Sequence, residues 1–431
     1  MGIALGSFIG LTATITPLSA DDLKLSAEEK ALVALVDKNF DEQIKFLEKI
    51  VNINSGSAHV EGVKAVGDVF IEEFNDIGFD TKWIPMPKEM GRAGHFYAEH
   101  KGAGGKAILL IGHLDTVFPK NSPFQKFERL GPNKAKGPGI IDDKGGDVVA
   151  LYALKAMQEL GMLDVGTVRV VFTGDEESTG KPISLSRKAL IDAAKKSDYA
   201  MNFEGGNPTS AVMARRGASG WSLEVKGLRN HSSGIFRDSR GAGAIFETAR
   251  ILNGFYSYVR GEHGLTFNPG VIGGGTFAER EDGSGIKSYG KTNIIAQTTL
   301  VSGGLRFLNE DQKERARDKM RTIVAQNLPH TSAKITFTDS YPAMSETAGT
   351  RRLLEEYSKS NQALGNGPLT GFDPVNRGAA DISFVAPYVD SIDGLGAWGG
   401  GGHNLEEWAD LETVRLATKR AVVFLSRMLK K

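Results

Sequence analysis

Val168-Arg169-Val170-Val171-Phe172-Thr173-Gly174-Asp175-Glu176-Glu177 is the stretch on which the fold turns. Its first half is β-branched or aromatic apart from Arg169, which predicts a buried strand. The strand stops at Thr173-Gly174, and three consecutive acids follow. Adjacent carboxylates at the end of a strand repel one another. If they face a cleft they need positive charge nearby, and two divalent metals would supply it. Taken alone, the stretch reads equally well as a solvated acidic turn.

Its neighbours in the chain repeat the pattern. Upstream, Ala107–Ile111 (AILLI) predicts a fully buried strand running into Gly112-His113-Leu114-Asp115-Thr116-Val117. Strand period two puts His113 and Asp115 on one side. One of them can ligate a metal while the other accepts a hydrogen bond from the ligand's second nitrogen. A strand's carboxyl end is also where open α/β sheets bind ligands. Next comes Gly137-Pro138-Gly139-Ile140-Ile141-Asp142-Asp143-Lys144-Gly145-Gly146, followed by a helical pattern over Asp147–Leu160. An N-cap role would explain one of Asp142 and Asp143, but not the glycine frame around them. Downstream, Tyr199–Phe203 predicts another short strand, ending in Glu204-Gly205-Gly206. Gly399-Gly400-Gly401-Gly402 then places His403 on a loop, and a C-terminal helix follows with Leu411, Val414, Ala417, Ala421, Leu425 and Met428 on one stripe.

At 431 residues the chain is too long for one ordinary core, and two domains are expected. Hydrophobic content of 40% and charged content of 24% belong to a soluble globular protein. Basic and acidic residues number 52 each, which argues against a nucleic-acid binder working by bulk charge. With no cysteine, a metal site must be built from His, Asp and Glu. Residues 1–20 are apolar and small, end in Ser19-Ala20 and are followed by Asp21-Asp22. They read as a signal peptide without a positive n-region, so a periplasmic or secreted protein is expected. No other run is long and apolar enough to span a membrane. Ser26 to Glu29 has capping-box spacing ahead of a helical pattern, and Val60–Phe74 reads as a further amphipathic helix.

In their order, GHLDTV, GPGIIDDKGG, FTGDEES, NFEGG and the glycine-led His403 resemble the co-catalytic zinc peptidases and deacylases. That family includes glutamate carboxypeptidase, aminoacylases, dipeptidases and succinyl-diaminopimelate desuccinylase. The resemblance covers nearly all of the chain after the leader and is nearest to the glutamate-carboxypeptidase branch. It implies two zinc ions per subunit, with cobalt or manganese able to replace them. His113 and Glu204 would bind one ion, Glu177 and His403 the other, and Asp142 would bridge them. Glu176 would be the general base, and Asp115 would orient His113.

The resemblance also implies an α/β fold. A catalytic domain with a central mixed sheet flanked by helices (residues 21–216 and 341–431) would carry an inserted α+β lid and dimerisation domain (residues 217–340). Within the insert, SGWSLEVKG, Lys291–Arg306 as two strand-like runs, and Ala333–Thr338 predict strands. Gly241–Leu252 and Glu310–Ala325 predict helices. Relatives have a histidine at the position of His231 that helps hold the substrate carbonyl oxygen and is supplied by a partner subunit, so a homodimer is expected. Asn293 and Arg306 match substrate-contacting residues. Two departures stand out: Ala296 replaces a common proline, and RGAADIS (Arg377–Ser383) replaces GGTDA. Arg216 and Arg377 are spare cations able to grip a carboxylate. His59, His95, His100, His263 and His330 match no motif. The expected activity is cleavage of a peptide or amide bond beside a free carboxylate in a small peptide or N-acyl amino acid. A carboxypeptidase-type exopeptidase is the first reading and an N-acyl-amino-acid deacylase or desuccinylase the second. A silent binding protein of the same fold is disfavoured because ligands and base are all present.

Overall fold

The computed structural model describes residues 23–281 and 285–431; the expected leader, residues 1–20, lies outside them. A six-stranded mixed sheet forms the centre of the larger unit. Across the sheet, its strands are Asp80–Pro85, Gly94–His100, Thr167–Thr173, Ala107–His113, Tyr199–Asn202 and Asp390–Ile392. The first two pairings are antiparallel and the remaining three parallel. Ile108, Leu110, Val168, Val170 and Phe172 have no solvent exposure, as continuous apolar runs in a doubly covered sheet require.

The helices that cover one face follow from their apolar spacing. Ser26 caps Ala27–Lys38 with a complete capping box: its hydroxyl accepts from the Glu29 amide, and the Glu29 carboxylate accepts from the Ser26 amide. Helix Val60–Asp76 buries Val63, Val66, Phe70 and Phe74, and Phe70 meets the strand residue Phe172 edge-on at 5.1 Å. The helix expected from Asp147 begins at Lys144 and runs to Glu159. The two glycines in its first turn are poor helix formers, but the packing requires them. A Cβ on Gly146 would lie 1.9 Å from the Phe203 carbonyl oxygen, and one on Gly145 would lie 2.3 Å from that of Ile140. The C-terminal helix, Leu411–Leu429, packs beside this one.

The inserted unit is a four-stranded antiparallel sheet in the order Thr266–Gly275, Thr298–Phe307, Gly217–Gly227, Thr331–Asp339. Helices Gly243–Tyr258 and Glu310–Ala325 bury a separate core against it, containing Trp221, Leu223, Phe255, Val301, Leu305 and Met320. One expectation needs correcting here, and one strand goes beyond it. Lys291–Arg306 is not two strands: only Thr298–Phe307 is a strand, Ile294 makes an isolated bridge with His231, and Ile295 is buried beyond it. The strand Thr266–Gly275 was not foreseen because Pro269 and four glycines disguise it. It sits at the sheet edge with a register shift between Pro269 and Val271, where such residues are tolerated. The chain enters and leaves the insert side by side: the Ala218 amide donates to the Tyr341 carbonyl at 2.8 Å and the Met344 amide to the Arg215 carbonyl at 3.1 Å.

Candidate active site

Three neighbouring parallel strands stop on one side of the larger unit, and each delivers an acid or an imidazole there. His113 ends Ala107–His113, Glu176 and Glu177 follow Thr167–Thr173, and Glu204 follows Tyr199–Asn202. Asp142 arrives from the glycine-framed turn before the Lys144 helix. His403 comes from the glycine loop in a left-handed conformation, φ +63°.

Asp142 lies between the two imidazoles. Its Oδ1 is 3.0 Å from His113 Nε2 and its Oδ2 is 3.0 Å from His403 Nε2. Glu177 Oε2 is 3.1 Å from His403 Nε2, and Glu204 Oε1 is 3.8 Å from His113 Nε2. Two overlapping groups place one ligand atom per residue within 4.8 Å of one another: His113 with Asp142 and Glu177, and His113 with Glu176 and Glu204. Glu176 is therefore as near to His113 as a ligand would be, and distance alone does not separate a ligand from a base here.

The electrostatics favour cations in this cluster. Burial pushes the Glu176 carboxyl well above the usual carboxylate range, and Glu204 and Glu177 add to the effect. Burial likewise raises Glu177, and lifts Glu204 to about 7 despite the nearby Arg215 guanidinium. Hydrogen bonds to Asp142 and Glu177 hold His403 up to about 11. His113 is fully buried, which alone would lower its pKa, but hydrogen bonds to Asp115 and Asp142 hold it well above the ordinary value. Glu177 Oε1 is buried without a hydrogen-bond partner. Hard and borderline oxygen and nitrogen donors, crowded and under-neutralised, fit divalent metal ions.

The supporting residues account for the aim of each group. His113 Nδ1 faces the Asp115 carbonyl oxygen at 3.0 Å and its carboxylate at 3.5 Å. The Asp115 carboxylate itself accepts from the Glu176 amide at 2.9 Å, the Glu177 amide at 3.2 Å and the Ser57 hydroxyl at 2.5 Å. It thus ties the histidine strand to the acidic turn and orients more than the ring.

Asp175 does not face the cluster. It is buried against the fully buried Arg187, which also reaches Asp381 in an ion pair at 2.7 Å whose angle is not that of a hydrogen bond. Of the three consecutive acids, one is therefore neutralised by an arginine and only two are left for cations. His95, matched to no motif, accepts from the Gly174 amide at 3.2 Å and braces the same turn. Tyr341 donates to the Glu176 carbonyl at 2.7 Å. Glu407, raised to about 8 by burial, accepts from the amides of Gly139, Ile141 and Asp142 and shapes their turn. Arg215 lies 3.4 Å from Glu204 and is paired more closely with Asp393. None of these supports carries a local mark in the sequence, and most of them pair residues far apart in the chain.

The cluster opens into a cavity of about 470 Å³, lined also by Arg306, Tyr341 and Arg377. Arg216 donates to Thr266 Oγ1 and does not line it. His231 and Asn293 lie together on the insert: the Ser232 amide donates to the Asn293 carbonyl, and both side chains are exposed. Among the described residues, neither lines this cavity.

The model of Peptidase family M20/M25/M40 matches residues 109–427, which span the whole cluster. The chain belongs to this family. It is a hydrolase of a metal-dependent peptidase family, as its motifs implied. Carboxypeptidase G2 of Pseudomonas sp. (strain RS-16) is 29% identical over 388 residues, covering 86% of this chain and 85% of that protein. The crystal structure of aminopeptidase PepT from Bacillus cereus ATCC 10987 superposes with a TM-score of 0.72 at 17% identity, covering 90% of this chain and 99% of that one. The Bacillus subtilis YXEP protein, a dinuclear metal binding peptidase from the M20 family, superposes with a TM-score of 0.62 at 14% identity, covering 91% and 99%. At these identities the structural likenesses speak for the M20 fold alone.

Proposed function

We propose that the chain is a di-zinc exopeptidase of the carboxypeptidase type, cutting an amide bond beside a free carboxylate. The observation that carries this reading is charge in the cavity. Arg306 and Arg377 line it beside the acid–imidazole cluster; Arg377 donates to the Gly205 carbonyl, and among the described residues neither forms an ion pair with a carboxylate. A substrate carboxylate there would gain a charge-assisted, bidentate contact. The likeness to Carboxypeptidase G2 points the same way.

His113 and Glu204 would hold one ion and Glu177 and His403 the other, with Asp142 shared between them. Two ions held there would supply Lewis acidity toward a carbonyl oxygen and a water molecule. The chain's own work is to place and move the proton. Glu176, half-buried and fixed through its main chain by Asp115 and Tyr341, takes a proton from water and returns it to the leaving amine. Arg306 and Arg377 hold the free carboxylate, so that the scissile carbonyl lies over the cluster.

A panel of dipeptides and N-acyl amino acids, each with a free and an amidated carboxyl terminus, tests this reading. Free-carboxylate members should be cleaved at least about 10²-fold faster in kcat/KM than amidated ones, the scale of leaving buried polar groups unpaired. Elemental analysis should find two metal ions per chain. Equal cleavage of amidated members sinks the exopeptidase assignment, and cleavage confined to short-chain N-acyl amino acids makes the enzyme a deacylase.

His231 and Asn293 are assigned to the active site of a partner subunit, since both are exposed and outside the cavity of their own chain. An imidazole donating to the developing oxyanion is worth roughly 2.7–4 kcal/mol in comparable sites. His231→Ala should keep its metal and lose about 10²–10³ in turnover. Mixed with Glu176→Gln under subunit exchange, it should regain activity above either variant alone. A mixture that stays inactive after exchange removes the borrowed-histidine arrangement.

A further inference from the structure

A second cavity, about 590 Å³, shares Glu177 with the first. Its walls come from residues 56–61, a loop that runs into the helix Val60–Asp76, and from the loop 116–121, together with Glu177 and Ser178. Ala58, Val117 and Pro119 give it apolar surface, and Ser57, His59, Glu61, Thr116, Lys120 and Asn121 line it as well. Its volume is in the range of a small-molecule site.

The loops are locked together rather than merely adjacent. The Thr116 amide donates to the Ser55 carbonyl at 2.9 Å and the Ser57 amide to the Thr116 carbonyl at 3.2 Å. Asn54 Nδ2 reaches the Phe118 and Pro119 carbonyls at 3.2 and 3.3 Å. Close contact is built in at Gly56, where a Cβ would lie 2.4 Å from the Phe118 carbonyl oxygen. The floor is fixed as well: the Arg92 guanidinium donates to the Ser178 carbonyl at 2.5 Å and to its hydroxyl at 2.6 Å. Ser57 ties this loop to Asp115, and so to the turn that carries Glu176 and Glu177. A wall held in this way is pre-organised, and little ordering entropy opposes a ligand that enters it.

Both cavities share Glu177, and their linings differ. The first carries Arg306 and Arg377, which form no ion pair with a carboxylate among the described residues; the second carries the apolar side chains of Ala58, Val117 and Pro119 together with His59, Glu61 and Lys120. A substrate whose scissile amide sits at the cluster must send one half to each side. We infer that the second cavity is the acyl-side subsite and that it takes an apolar acyl chain of four or more carbons. The carboxylate-bearing half lies in the arginine-lined cavity. Val117 is 36% exposed in the free protein, a large apolar side chain that such an occupant would cover. This inference rests on the amide-hydrolase reading only for the direction in which the substrate lies.

Binding, not turnover, tests it. N-acetyl-alanine and N-hexanoyl-alanine share a carboxylate half and differ by four carbons on the acyl side. With metal-loaded Glu176→Gln protein, calorimetry should find the hexanoyl compound bound about tenfold more tightly or better, the scale for added methylenes in an apolar pocket. Val117→Asn, which removes apolar surface, and Ala58→Trp, which fills the cavity, should each cut that preference to about threefold or less. Both positions lie in exposed loops, so folding is not at stake. Equal affinities for the two compounds, or a preference that survives both substitutions, overturns the assignment. If the preference is found and lost as described but the wild-type enzyme cleaves no member of the panel, the hydrolytic reading falls and the subsite stands. An active enzyme with equal affinities gives the reverse result.

Discussion

Glu176→Gln is expected to keep its metal ions and to lose about 10²–10⁴ in kcat, the range of general acid–base catalysis. The substitution preserves shape and removes only the ability to carry a proton. The contacts that hold this residue in place are main-chain ones: its amide donates to Asp115 and its carbonyl accepts from Tyr341. Both survive the change. The measurement has to include metal content, because a Glu176 oxygen also lies within 4.8 Å of ligand atoms of His113 and Glu204. If Glu176 is a ligand, the variant should lose metal together with activity. If it is the base, metal stays and the rate falls. Normal turnover with full metal would remove Glu176 from the chemistry altogether.

The difference between what was legible in the sequence and what was not follows the range of the interactions. His113, Asp142, Glu177, Glu204 and His403 each stand beside a local mark, either a strand that ends abruptly or a run of glycines. Short-range patterns of that kind survive in the sequence because backbone geometry imposes them. Arg187 carries no such mark. In Leu185-Ser186-Arg187-Lys188 it reads as an ordinary helix-surface arginine, yet it is fully buried between Asp175 and Asp381, 12 and 194 positions away by residue number. No periodicity announces a partner at that distance. Asp381 carried a faint signal, an acid embedded among Ala379, Ala380, Ile382, Phe384 and Val385. Glu407 and Tyr341 were hidden in the same way, because their roles are hydrogen bonds to backbone groups of remote turns. The edge strand Thr266–Gly275 shows the converse. Its composition contradicts its conformation, and pairing with Thr298–Phe307 overrides the local preference.

Arg187→Met is expected to destabilise the larger unit by roughly 3–5 kcal/mol at pH 7, the cost of removing one partner from a buried ionic network. Methionine fills much of the space but leaves the Asp175 and Asp381 carboxylates without their shared cation. Asp175 would retain only the Gly180 amide and the Ser186 hydroxyl, and Asp381 the Thr173 hydroxyl. The pH dependence identifies the cause. In the parent, burial would raise the Asp175 carboxyl, but the Arg187 guanidinium and its hydrogen bonds hold it below its ordinary value. Its contribution to stability is therefore present above the unfolded carboxylate pKa and lost as pH falls through the folded one. In Arg187→Met burial acts unopposed by that cation, the folded pKa rises above the unfolded one, and the sign reverses. Protonation then relieves the variant while the parent gains nothing, so the gap between them should narrow from pH 7 to pH 5. Urea titrations followed by circular dichroism at the two pH values measure it. A variant as stable as the parent at pH 7, or a gap that widens on acidification, would show that the network does not hold the turn. Asp175→Asn combined with Asp381→Asn in the Arg187→Met background should recover much of the loss, because no buried charge is then left unpaired. Recovery of stability without recovery of turnover would assign the network a second role, since Arg187 Nη2 also lies 3.4 Å from the Tyr341 hydroxyl that holds the Glu176 carbonyl.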